Sequence, residues 1–124
     1  MKPANSKSAL VRHEETAPRE RRTCGWRHLL ISRHDQDVAA WAHAVDIGRA
    51  TQSYHKVATE LNYVLDGEGF VVLDGVEHPV RRGTIVYILP GAVHGAIGRM
   101  RVLVIGLPDI SEQDLYFPVS QSAC

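Results

Sequence analysis

The side chains in this sequence best suited to metal or acid–base chemistry are His55, Glu60 and His94. The stretch SYHKVATELNYVLDGEG, residues 53 to 69, places His55 and Glu60 five positions apart, ahead of an apolar run. Side chains in a strand alternate faces, so Glu60 shares a face with Asn62 and Val64, and His55 with Ser53. If KVAT is a tight connection between adjacent strands, both polar groups point into one interior. His94 follows the Pro90-Gly91 turn in GTIVYILPGAVHGAIG and arrives from a different hairpin. Two imidazoles and one carboxylate hold Fe(II) on one face and leave positions open for substrate and dioxygen. The same donors serve catalytic zinc, whose bound water becomes a nucleophile near neutral pH. Donor types alone do not choose among iron, manganese, zinc and nickel. The competing reading is a degenerate site in which the three side chains hydrogen-bond one another, since a glutamate in an apolar interior needs compensation in either case.

The elements that must carry these residues read as short strands. WRHLLISR is an opening strand, a polar break at DQDVA follows, and AWAHAVDI resumes apolar character. Further breaks at GRATQ, KVAT, DGEG, DGVE, RRG and LPGAV separate LNYVL, FVVL, TIVYI and RVLVI. Short runs with Gly, Pro or Asp-Gly punctuation predict an all-β sandwich or barrel of antiparallel strands, consistent with a double-sheet jelly roll. Asp74-Gly75 predicts a two-residue hairpin turn, because both positions tolerate positive φ. In PDISEQDLYF, Ser111 is the expected N-cap of a short C-terminal helical turn, whose Tyr116 and Phe117 cover an open barrel end or a partner.

Taken together, these residues resemble a small single-domain cupin, with first motif G-x5-H-x-H-x3,4-E-x6-G and second motif G-x5-P-x-G-x2-H-x3-N. His55, Glu60 and Gly67 match the back of the first; Gly83, Gly91 and His94 match the second, over about residues 23 to 110. The resemblance implies a double-stranded β-helix and a divalent metal in the barrel. It also implies a reaction menu of dioxygenases, isomerases, epimerases and lyases, which fold alone does not narrow. Of the family's three histidines and one glutamate, His55, Glu60 and His94 carry over. Ser53 stands in the place of the first histidine, Leu89 in that of a proline, and Gly98 in that of the terminal asparagine, while Gly48 stands one residue closer than the pattern has it. Ser53 is therefore expected to supply a weak neutral ligand or to hold a metal-bound water facing substrate. His43 shares strand parity with Val45 and Ile47, so it either supplies the missing imidazole or is a hydrogen-bonded histidine of the wall. Asn62 lies where similar proteins carry a bulky aromatic; it contacts substrate or orients Glu60.

The remaining features bound the function. The chain has 124 residues and 44% hydrophobic content, enough for one domain burying roughly 65 to 70% of its unfolded surface. It divides into a polar arm over 1–22 expected to order against a partner subunit, a barrel over 23–110, and a C-terminal segment over 111–124. Lys plus Arg and Asp plus Glu are 14 each, so no sequence-wide field points to nucleic acid. With no apolar run long enough for a bilayer and no secretory-signal pattern, the expectation is a cytoplasmic protein without a membrane partner. Cys24 and Cys124 lack CxxC spacing and are expected as reduced thiols. His13, His28, His34 and His78 match no ligand spacing and read as surface or turn residues. Tyr54, Tyr63 and Tyr87 read as core or interface residues, and GEG and AIGRMR as turns outside any phosphate-loop context. The expected partners are a small-molecule ligand or substrate and a second copy of the chain, with Trp26, Trp41 and Phe117 as apolar contacts for a homodimer.

Overall fold

In a computed structural model of the chain, residues 9–22, 25–32, 34–35, 38–108 and 114–118 are described. Among these residues seven strands form: β1 (Arg19–Arg22), β2 (Gly25–Ile31), β3 (Trp41–Ser53), β4 (Thr59–Leu73), β5 (Val76–Arg81), β6 (Ile85–Ile88) and β7 (His94–Leu107). All pairings are antiparallel, in the order β1-β2-β3-β7-β4-β5, with β6 on the other edge of the first half of β4. The all-β jelly-roll expectation is met.

The register shows how the interior is built. Trp41, Gly106 and Glu60 lie in one row across β3, β7 and β4; His43, Val104 and Asn62 form the next; Val45, Val102 and Val64 form the third. Directly opposed residues share a face, so these rows line the inside. Deeper in the barrel, Val64, Val71, Val80, Ala96, Met100 and Val102 make the apolar core, with Ile47 and Val104 packed against it. Val64 is 1% exposed. The polar rows therefore sit over a dry floor.

Several expected breaks are instead places where long strands bend. DGEG does not separate two strands: β4 runs through it, with a register shift between Val64 and Asp66. AIGRMR is likewise interior to β7, and GRATQ is carried within β3 by register shifts at 47/49 and 50/53. Glycine makes the bend, because Gly69 and Gly98 face each other and a Cβ on Gly98 would lie 2.6 Å from the Gly69 Cα. Gly67 and Gly98 also take φ of 83° and 132°, where side chains are disfavoured. KVAT does not join neighbouring strands either, since β7 lies between β3 and β4.

The Asp74-Gly75 turn forms as expected, with φ of 47° and 84°. Residues 9–22 of the polar N-terminal segment make contacts within the chain. β1 pairs with β2, the Arg12 guanidinium forks onto Asp35 (2.8 and 3.0 Å), and Arg101 pairs with Glu14. Cys24, Cys124 and Ser111 lie outside the described residues.

Candidate metal centre

Two neighbouring segments and a third, distant one bring the site together at one end of the barrel. β4 opens with Glu60 on its inner face, β7 opens with His94, and His55 stands in the connection between β3 and β4. The His94 loop is tied both to that connection and to the β4–β5 turn. Gly91, at φ 89°, donates its N–H to the His55 carbonyl at 2.6 Å, and Asp74 exchanges backbone and side-chain hydrogen bonds with Val93, next to His94 (2.8 and 2.9 Å).

At the centre, His55 Nε2 lies 3.1 Å from Glu60 Oε1 and His94 Nε2 lies 3.2 Å from Glu60 Oε2. All three residues are buried or nearly so, and one ligand atom from each falls within 4.8 Å of the others. The outer ring nitrogens are also committed: His55 Nδ1 donates to the Asp114 carbonyl at 2.6 Å and His94 Nδ1 donates to the Ala92 carbonyl at 3.1 Å. Carbonyl oxygens only accept, so both Nδ1 atoms carry protons and both Nε2 atoms aim at the carboxylate. Asn62, with its amide nitrogen turned toward Glu60, donates to Oε2 at 3.2 Å.

Burial raises the Glu60 carboxyl, but the hydrogen bonds and charge of His55 and His94 outweigh it and hold it at about 2. Burial works against charge on both imidazoles; the hydrogen bond and attraction of Glu60 win, raising both from the ordinary histidine value. The pocket thus stores one buried anion between two proton-bearing rings.

This donor set fits a divalent transition ion. With Nδ1–H tied to a carbonyl, loss of the Nε2 proton would leave each ring presenting an Nε2 lone pair inward, the tautomer that metal-bound histidines use. Two such nitrogens beside a carboxylate are the ligand set of non-haem iron and of catalytic zinc.

Of the other candidates, Ser53 pairs directly with His94 in the β3–β7 ladder and so shares its face. His43 lies on the inner face one row below, with its ring 5.0 Å from that of Trp41, and it is outside the three-residue cluster. Asn62 lies within hydrogen-bond reach of Glu60. Trp26 and Trp41 are not free apolar surface. Arg19 and Arg21 flank the Trp26 ring, while the Trp41 ring covers Gly106, where a Cβ would run into it, and lies 6.3 Å from His55. Phe117 is half-buried. His28 is also not a surface residue: its Nε2 lies 3.6 Å from Asp46 and its buried Nδ1 finds no partner.

Sequence reasoning missed Trp41 as a wall of the site and Asp114 as its outer support. Trp41 carried a signal in its shared parity with His43. Asp114, 59 residues from His55, carried none.

A jelly-roll barrel with a His–Glu–His cluster in its mouth defines a class. The cupin-domain family profile matches residues 45–106, half of the chain, and the chain belongs to that family. No curated protein matches it by sequence. Among solved structures it is similar to a protein from Planctomyces limnophilus (22% identity, TM-score 0.79, covering 88% of this chain and 96% of that one). It is also similar to the nucleoside dehydratase Pac13 of Streptomyces (16% identity, TM-score 0.76, 93% and 99%), a protein also solved with uridine. Ectoine synthase from P. lautus is a third (19% identity, TM-score 0.71, 94% and 96%). At these identities the likeness is one of fold.

Proposed function

We propose that this cupin binds a divalent transition metal (iron, manganese, zinc or nickel) through His55, Glu60 and His94 and acts on a small organic substrate in the barrel mouth, by oxygenase, isomerase or lyase chemistry. The convergence of both Nε2 atoms on one buried carboxylate, with both Nδ1 atoms occupied by carbonyls, carries this reading. A bound ion would supply Lewis-acid polarisation of a substrate oxygen. Asn62 holds Glu60 in place, Trp41 walls the site on the β3 side, and Ser53, sharing a face with His94, is positioned to meet substrate. That two similar folds belong to a dehydratase and a synthase supports small polar molecules as the substrate class.

A second reading, a binding or sensing module without turnover, is favoured by one observation: Ser53 stands where the family pattern has a ligand histidine. Metal analysis of protein purified without chelator separates the readings from a metal-free barrel. About one equivalent in the parent and less than about a tenth in His94→Ala is expected; equally low content in both defeats the metal reading. Oxygen uptake and product formation with small phenols, keto acids and hydroxylated substrates then distinguish an enzyme from a sensor.

A homodimer is the second part of the proposal, through a surface other than the one the tryptophans suggested. Leu61 pairs with Tyr87, and Tyr63 with Ile85, on the outer face of β4 and β6. Tyr63, Ile85 and Tyr87 are 41, 58 and 62% exposed. Side-by-side large apolar groups on one face are an interface signal that scattered ones are not.

A further inference from the structure

Asp114 holds the loop that carries His55 through both its carboxylate and its carbonyl. Its carboxylate accepts from three successive backbone N–H groups: Lys56 (2.9 Å to Oδ1), Val57 (3.3 and 3.2 Å) and Ala58 (2.9 Å to Oδ2). Its own carbonyl receives the His55 Nδ1 proton at 2.6 Å. On the other side of His55, Tyr54 and Tyr116 exchange two backbone hydrogen bonds (2.9 and 3.0 Å) and stack at 5.5 Å, with the Lys56 ammonium 4.2 Å from the Tyr116 ring. The segment carrying one candidate ligand is thus clamped before and after that ligand by residues 114–116. His55 follows the end of β3 and precedes the start of β4, so no strand ladder fixes its ring.

We propose that Asp114 is a positioning residue of the metal centre. Its carboxylate pins the backbone of residues 56–58, and this places its carbonyl where it fixes the His55 ring with Nδ1 protonated and Nε2 turned toward Glu60. The carboxylate is 6% exposed as a residue and fully engaged, so it acts through His55 and touches no substrate. The physical reason is the one that makes outer hydrogen bonds matter at metal sites generally: a ring free to rotate presents its lone pair to the ion only part of the time. The inference rests on the metal reading above and assigns to it a part of the chain outside the family-matched residues 45–106.

The test titrates cobalt(II) into the full-length protein and its variants, reading affinity and the visible absorption of the bound ion. Asp114→Ala is expected to weaken cobalt binding by about 10- to 100-fold and to alter the cobalt spectrum; Asp114→Asn, which keeps one acceptor oxygen, is expected to fall between the two. Arg12→Ala, which unties a different tether, is the control for general loosening and leaves affinity and spectrum unchanged. In metal-free protein, the His55 Nδ1–H resonance is expected to be protected from exchange and to lose that protection in Asp114→Ala; if Asp114→Ala does not fold, Asp114→Asn carries both readouts. Cobalt binding in the parent with unchanged affinity, spectrum and His55 resonance in both Asp114 variants overturns this inference alone. No cobalt binding in the parent overturns the metal reading, and the positioning role toward a metal with it.

Discussion

His94 Nε2 lies 3.2 Å from Glu60 Oε2 although the two residues stand at opposite ends of the same two-stranded ribbon. Glu60 pairs with Gly106 near the end of β7, whereas His94, at the start of β7, pairs with Leu73 at the end of β4. Thirteen residue steps of flat strand would hold those ends about 40 Å apart. The β4–β7 ribbon must therefore curl through the whole barrel to close the site, and its corner lies at Gly67, Gly69 and Gly98.

The corner glycines should accordingly tolerate no side chain. Gly98→Ala places a Cβ against the Gly69 backbone at a φ of 132°, and is expected to cost about 3 kcal/mol and lower Tm by on the order of 10 °C. Gly48→Ala, with nothing within 4 Å of the new Cβ, should stay within about 0.5 kcal/mol of the parent. Thermal unfolding of the two variants side by side checks the contrast; equal melting temperatures would remove the corner argument.

Metal uptake should release protons. Each imidazole now faces an oxygen acceptor at both nitrogens, so the metal-free site holds both rings in the doubly protonated form, while a ligating Nε2 must give its proton up. Calorimetric titration of zinc in buffers of different ionisation enthalpy should show a buffer-dependent heat corresponding to one to two protons. A heat independent of buffer would contradict the assignment.

The N-terminal segment should stay docked through neutral and mildly acidic pH and let go only in strong acid. The hydrogen bonds from Arg12 hold Asp35 below its ordinary value. A depressed carboxyl contributes its full stabilisation above the unfolded value, near 3.9, and loses it as pH falls through the lower folded value. Limited proteolysis with an acid-active protease should therefore show residues 9–18 protected at about pH 5 and cut well below pH 4. In Asp35→Asn the segment should be cut at both.

Oligomeric state should respond to the outer face of β4 and β6. Tyr63→Asp puts a charge among Leu61, Ile85 and Tyr87 and is expected to shift a dimer to monomer in gel filtration and sedimentation. Trp26→Ala, whose ring is already covered by Arg19 and Arg21, should leave the elution volume unchanged. The opposite pattern would return the interface to the tryptophans.

Asn62→Leu should loosen the centre without dismantling it. It removes the amide donor to Glu60 Oε2 while retaining the His55 and His94 contacts, so metal content should persist with affinity lowered about 10-fold. An unchanged affinity would return Asn62 to the substrate-facing role.

Much of this protein could be read from local pattern. His55, Glu60 and His94 share a type and spacing that mark them out from the other histidines, and short apolar runs with Asp-Gly and Pro-Gly punctuation specify antiparallel strands, because alternation and turn chemistry act over a few residues. The readings that failed share one cause. DGEG and AIGRMR look like turns locally, yet they are two sides of one bend, where Gly69 and Gly98 meet only after β4 and β7 have found their register. Trp41 was read as an apolar dimer contact because Gly106, the residue its ring packs over, lies on another strand. Asp114 was unread because its partners at 55 to 58 are more than fifty residues away and three of them meet its carboxylate only through backbone N–H groups. The His–Glu–His set and the strand class followed from the order of residues alone; which groups aim those side chains was decided by long-range register and by the curl of one ribbon, which no local run of residues encodes.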